Sequence, residues 1–205
     1  MHVALVADPS AATPAGSLAR ALLERLPAAG ELELFGGGGA PPWTAIRPRA
    51  VERIVHVVGN EASLAFAVPA VRRLGGIVVL LDWDLTALAR SARPALERGG
   101  LFGRVAAWRE GGWAAARGLA SGTLNRSIVR FGDAFVVADD AMRRRVLDER
   151  NAHTPILTAP LDDPGAAAEE LAARLEAMPA HRSARRSLIS TAIEHADKRR
   201  AERET

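Results

Sequence analysis

Residues 53–86 read RIVHVVGNEASLAFAVPAVRRLGGIVVLLDWDLT, and their pattern decides the fold. Ile54 to Val58 and Ile77 to Leu81 are short apolar runs rich in Val and Ile. Between them lie a Gly59-Asn60 turn and a helix-length segment that Pro69 breaks late. Two such runs joined by a helix are the signature of a βαβ unit, whose strands lie parallel and are covered on both faces. In sheets of this kind a ligand occupies the crevice beyond the carboxyl ends of the strands. Gly59, Asn60, Asp82 and Asp84 fall there and are the first candidates for binding or chemistry. Each also has a structural reading. A strand-end Asp commonly caps the next helix, and Asn tolerates the left-handed turn conformation that can follow Gly59. His56 lies inside a buried strand and reads as a satisfied core histidine rather than a base.

Working outward towards the start, His2 to Ala7 (HVALVA) is a strand and Asp8 to Gly16 (DPSAATPAG) a Pro- and Gly-bearing loop. Ser17 to Leu26 then carries Leu18, Leu22, Leu23 and Leu26 on one helical stripe, with Ser17 placed to cap it. A small-residue loop at a helix N-terminus presents N–H groups and a positive dipole end, which suits a phosphate or carboxylate. Gly16 and Ser17 are candidates on that ground, although the same loop is an economical strand-to-helix turn. Glu31 to Phe35 (ELELF) alternates as an edge strand. Residues 36–42 (GGGGAPP) lack the Lys-Ser/Thr ending of a phosphate loop and read as a mobile surface excursion leading to Trp43.

Towards the end, Leu85 to Arg98 reads as a helix with Pro94 inside it, and Gly99 to Gly122 as an irregular, Gly-punctuated insertion of the sort that contacts ligands or partners. Thr123 to Arg130 is helical, Asp133 to Ala138 a buried strand, and Asp139 to Arg150 a helix capped by Asp139 or Asp140. Pro155 to Ala159 is the last strand. From Pro164 the pattern turns helical. Ala166 to Met178 is amphipathic, and Pro179 separates it from a basic helix with Leu188, Ile189, Ala192, Ile193 and Ala196 on one stripe. The fold expected is α/β: a Rossmann-like three-layer sandwich with a mainly parallel sheet of about six strands over residues 1–161, plus a C-terminal helical arm over 162–205.

Composition narrows the function classes. With 205 residues and no Cys, the chain buries its core without disulfides and has no thiolate nucleophile or Cys-based zinc site. No stretch approaches the roughly 20 apolar residues of a membrane helix, so a cytoplasmic protein is expected. The net charge is +3, but the basic residues are Arg apart from Lys198, they are interspersed with acids, and Tyr is absent. That pattern gives no aromatic-plus-basic surface for stacking bases, and no nucleic-acid partner is expected.

In order along the chain, VALVADPSAATPAGSLARALLERL, HVVGNEASLAF, IVVLLDWDL, LNRSIVRFGDAFVVADDAMRRRVL and PILTAPL resemble the successive motifs of the N-terminal, acceptor-side domain of family 4 glycosyltransferases of the GT-B fold. The resemblance covers roughly residues 2–161. It implies that Asp82 orients an acceptor hydroxyl or the transferred sugar. Gly16 and Ser17 would face donor phosphate, and Gly59, Asn60, Asp84 and Asp139 would line the cleft, with no metal and no tightly held cofactor. Three departures stand out: Leu81 and Leu64 stand where the family carries His, and Ala138-Asp139 replaces a His-Ser pair. The second, donor-binding domain has no counterpart. Glu194 and Glu202 share the spacing of its Glu pair but lack its Gly-rich loop.

Three functions follow as expectations. The first is the acceptor-binding half of a split or heteromeric glycosyltransferase that uses a nucleotide-sugar, working with a donor-domain partner chain. The second is a non-catalytic scaffold derived from that fold, for which a homo-oligomer would cover the exposed face. The third is a phosphatase of the haloacid dehalogenase type, because Asp82-Trp83-Asp84-Leu85-Thr86 matches that family's Asp-x-Asp-x-Thr strand end.

Overall fold

The computed structural model describes residues 1–97, 100–117, 123–150 and 153–179. Six strands form one sheet: β1 (His2–Ala7), β2 (Glu31–Gly36), β3 (Arg53–Val58), β4 (Ile77–Leu80), β5 (Ala134–Val137) and β6 (Ile156–Thr158). Their order across the sheet is β2-β1-β3-β4-β5-β6, and every neighbouring pair is parallel. The sheet is thus wholly parallel, and the α/β class is that of the expectation.

The apolar runs become strands because two layers need them. Ile54, Val55, Val57 and Val58 are fully buried, as are Ile77, Val78 and Leu80. Successive side chains of a strand point to opposite faces, so burial of consecutive residues requires cover on both. Helix α1 (Pro14–Arg25) and helix α7 (Pro164–Arg174) pack against each other on one face. The other face carries α2 (Ala67–Leu74), α3 (Thr86–Ala92), α5 (Arg126–Phe131) and α6 (Asp140–Glu149). Right-handed crossovers demand this division, because the chain steps one way from β1 to β2 and the other way from β3 onward. The path from β2 to β3 contains no α-helix. It places Trp43, Ile46 and Val51 against Ala4, Val6 and Ile54 as a small second cluster at the β2 end. Through Leu171, Leu175 and Met178 the described part of the C-terminal arm docks on the body. The basic stripe from Leu188 to Ala196, and the Glu194/Glu202 pair, lie outside the described residues.

Three local expectations are corrected. Pro69 does not break a helix late. It sits in the first turn of α2, where its missing N–H costs nothing, and a short 3-10 turn (Ala62–Leu64) precedes it. Pro94 is not inside a helix either: α3 stops at Ala92 and Pro94 opens a 3-10 turn (Pro94–Leu96). The Gly-rich stretch expected to be irregular forms α4 (Gly100–Ala116), kinked where Gly112 takes φ 73°. Its small residues serve close approach, since a Cβ on Gly103 would lie 3.2 Å from the Ala95 carbonyl oxygen. Glu110 anchors the helix from within. It is 1% exposed, accepts from the Ser127 hydroxyl (2.6 Å) and backbone N–H (3.2 Å), and pairs with the Arg93 guanidinium.

Two buried polar side chains, His56 within β3 and Asp133 just before β5, are tied to the turn that follows α2. His56 Nε2 lies 2.7 Å from the Gly75 carbonyl oxygen, which only accepts, so this nitrogen carries the proton. Asp133 Oδ2 accepts from Gly76 N–H (2.8 Å), and the Asp133 N–H donates back to the Gly76 carbonyl (2.8 Å). Gly76 has φ 101°, and a Cβ there would lie 2.6 Å from the Ile54 carbonyl oxygen. We therefore expect Gly76→Ala to destabilise the fold by about 2 kcal/mol or more, read as a lowered urea midpoint with unchanged slope.

Candidate functional site

The direction of the chain reverses between β1 and β3, and in open parallel sheets that reversal opens the ligand crevice beyond the strands' carboxyl ends. Four loops meet there: residues 8–13 after β1, 37–42 after β2, 59–61 after β3 and 81–85 after β4. The Thr13 hydroxyl spans the reversal by donating to Glu61 Oε2 at 2.8 Å. Asp8, the first residue beyond β1, holds the Ser10 N–H (3.0 Å) and hydroxyl (2.6 Å) through Oδ1. The glycine loop crosses over it so closely that a Cβ on Gly37 would lie 2.3 Å from the Asp8 carboxyl carbon.

Asp82 and Asn60 come together. The Asn60 N–H donates to Asp82 Oδ2 at 2.8 Å, and Asn60 Oδ1 accepts from Ala87 N–H at 2.7 Å in the first turn of α3. The turn after β3 thereby holds both the strand-end carboxylate and the start of the next helix. Gly59 sits between two carboxylates: a Cβ there would lie 3.4 Å from Asp82 Oδ2 and 3.4 Å from Glu61 Oε1. Asn60 does not take the left-handed conformation, because no residue other than Gly has positive φ among the described residues. Asp84 accepts from the N–H (3.1 Å) and hydroxyl (2.6 Å) of Thr86 through one oxygen, so it shapes the entry to α3.

Gly16 and Ser17 differ from the expectation. The cap of α1 is Thr13, whose hydroxyl accepts from Gly16 N–H at 3.2 Å, and Pro14 opens the helix. The Ser17 N–H donates to the Thr13 carbonyl (2.9 Å), and its hydroxyl accepts from Arg20 (3.0 Å). Gly16 N–H is thus taken within the chain rather than offered to a phosphate. A Cβ at Gly16 would sit 2.0 Å from the Ala11 carbonyl oxygen, so the glycine lets the loop fold back on the helix. Arg20 fixes that loop further by donating to the carbonyls of Pro9 (2.6 Å) and Ala11 (3.2 Å). Asp139 is the cap of α6, accepting from Met142 N–H at 2.7 Å, and no hydrogen bond among the described residues joins it to Asp82 or Asp84.

Asp8, Thr13 and Glu61 were not singled out from the sequence, although Asp8 bears the same signal as Asp82, an acid one step past an apolar run. With them the rim carries four carboxylates, Asp8, Glu61, Asp82 and Asp84. None forms an ion pair with a basic side chain among the described residues. Each has an oxygen that these hydrogen bonds leave open. Such a rim accepts hydrogen bonds from hydroxyl or amine groups and repels phosphate. Among the described residues the potential metal ligands that converge are half-buried His2 and exposed Glu31 and Glu33, at the β1–β2 side of the sheet, where His2 starts its strand. No helix among the described residues is long and apolar enough to cross a membrane.

No protein-family model and no curated protein matches the chain. Among solved structures, a point mutant of T4 phage BGT in complex with UDP-glucose is similar over 80% of this chain, at 8% sequence identity and a TM-score of 0.41. The chain spans about half, 47%, of that protein's length. The fold assignment rests on the sheet's own order and direction.

Asn60→Ala removes the acceptor for Ala87 N–H and should cost about 1 kcal/mol, as the loss of a helix cap does. Thermal unfolding checks the cost. Asn60→Ser, which keeps an oxygen, should recover part of it.

Proposed function

We propose that this chain is the acceptor-binding half of a sugar-transferring enzyme, holding a hydroxyl-rich acceptor against the carboxylates at the strand ends. The observation that carries the reading is the unpaired acidic rim at the β1–β3 reversal, with Asp82 held by the Asn60 N–H through one oxygen and open at the other. An ionised carboxylate only accepts hydrogen bonds, and sugar hydroxyls are donors that match it. The ordered resemblance of residues 2–161 to acceptor-side glycosyltransferase domains supports the same reading.

On this reading Asp82 orients the attacking hydroxyl while Glu61, beside Gly59, holds a neighbouring one. Fixing an acceptor hydroxyl in line with the anomeric carbon supplies rate through geometry alone. The nucleotide diphosphate is a poor match for four carboxylates and a Gly16 N–H already engaged. The phosphates and the developing charge of the transferred sugar therefore fall to a donor-binding partner chain.

A non-catalytic scaffold is favoured by a specific observation: Asp82, Asp84 and Asp139 each have a structural task, at a turn, a helix entry and a cap. The phosphatase reading has less support. No basic side chain pairs with Asp82 or Asp84 to hold a phosphoryl group among the described residues, and Lys198 lies outside them.

The test is recovery of the native complex from its own cells, with its mass and every co-purifying chain identified. A co-purifying chain with a nucleotide-sugar domain is the expected result, and the pair should transfer sugar. Recovery alone, or as a homo-oligomer with no sugar binding, would leave the scaffold. In the active pair, Asp82→Asn, which keeps an oxygen for the Asn60 N–H but loses the charge, should lower kcat/KM by about 100-fold or more with little loss of stability. Gly59→Ala should fold normally, since 3.4 Å is ordinary contact for a methyl group, yet raise KM for the acceptor by placing that methyl between Glu61 and Asp82.

A further inference from the structure

Helix α4 is turned inside out. Its inward stripe is Gly103, Ala106 and Glu110, while Leu101, Phe102, Val105 and Trp108 face outward, joined by Trp113 beyond the kink. These five are the exposed large hydrophobic residues among those described; Phe102 is 81% exposed and Leu101 74%. An ordinary surface helix buries its large apolar side chains and exposes its charges. Leu101, Val105 and Trp108 follow one another at spacings of four and three, which makes a continuous ridge.

The ridge borders two cavities, and Trp108 belongs to both. One, of about 510 Å³, is lined by Leu101, Val105, Trp108, Trp113 and Ala116 together with Arg104 and Arg117. The other, of about 240 Å³, is lined by Arg72, Arg109, Arg126 and Arg130 around Trp108 and Phe131. Arg109 and Arg130 have no ion pair among the described residues, Arg126 has a long contact to Glu149 (3.9 Å), and Arg72 lies over the Phe131 ring. By the helical period Arg104 and Arg109 flank the apolar ridge on opposite sides. The one acid of α4, Glu110, points inward.

We infer that this face seats the protein on an anionic phospholipid surface, with Leu101, Phe102, Val105 and the two Trp rings at the acyl boundary and the arginines on lipid phosphates. Trp and Phe beside Arg, on a helix that carries no outward acid, is the composition of an in-plane interfacial segment. Charge decides against two other occupants. A second copy of the chain would set Arg104, Arg109 and Arg117 against the same arginines. Residues 180–205 offer an apolar stripe in the sequence, but with seven Lys and Arg against the four acids Glu194, Asp197, Glu202 and Glu204 they are themselves net basic. Lipid headgroups supply the missing negative charge, and attraction to them weakens with salt. This inference does not depend on the crevice or on any sugar.

The test is sedimentation of the full chain with vesicles of phosphatidylcholine alone and of phosphatidylcholine with about one-third phosphatidylglycerol. We expect binding to the second and not the first, falling as salt rises from about 0.1 M to about 0.5 M. Phe102→Asp and Leu101→Asp, at exposed positions that leave the fold intact by circular dichroism, should each weaken binding at least about tenfold. The double variant Arg109→Glu/Arg130→Glu should abolish the preference for the anionic lipid. Absence of binding to either vesicle would overturn the inference. Undiminished binding by Phe102→Asp would overturn it too, because the basic residues 182–203 would then be the lipid contact. So would a concentration-dependent dimer that Phe102→Asp dissolves, which would make a second copy the occupant.

Discussion

A parallel sheet must be covered on both faces, and the arrangement of this chain follows from that requirement. Residue after residue of β3, β4 and β5 is withdrawn from water, so the strands have almost no position at which a polar side chain can serve a ligand. The exception within β3, His56, and Asp133 just before β5 are both held by the backbone of the Gly75-Gly76 turn. Reactive side chains are thereby confined to the loops at the strands' carboxyl ends, and the turn that reverses the sheet's direction decides which loops meet.

That confinement gives the acidic residues of the rim two tasks at once. Asp82 ends a strand and fastens the Asn60 turn; Asp84 shapes the entry to α3; Glu61 ties the loop after β3 to the loop after β1. A carboxylate fixed through one oxygen is oriented at the other. The same hydrogen bonds that make these residues structural also preorganise them, at little entropic cost when a hydroxyl arrives. Stability and binding are therefore coupled at this rim, and only substitutions that keep the fixing bond can separate them.

What the sequence revealed follows the range of the forces involved. The Val- and Ile-rich runs, the parallel class and the position of Asp82 at a strand end were legible because each depends on a few consecutive residues. The cap of α1 is Thr13 rather than Ser17, and Pro14, which suits a first helical position, is the signal in the sequence that marks it. Residues 100–116 read as irregular because Gly100, Gly103, Gly111 and Gly112 interrupt the helical pattern. The inward placement of Gly103 and Ala106 shows that the glycines serve close packing instead. Asp8 follows an apolar run just as Asp82 does and was equally legible, whereas Glu61 sits in a loop, where no periodicity marks it. The cluster of Glu110, Arg93 and Ser127 joins three separate elements, and no local pattern encodes it.

The two borders of the sheet are unlike its interior. An open parallel sheet ends in strands whose outer N–H and C=O groups are unpaired, which invites another chain to add itself in register. At one border β2 turns Glu31 and Glu33 outward, so an identical strand approaching it would meet like charges. At the other, β6 has only three residues, too short a template to nucleate pairing. Among the described residues, charge on one border and brevity on the other thus guard the sheet against strand-by-strand growth despite its long runs of Val and Ile, and leave its helical faces and loops as the surfaces for contact.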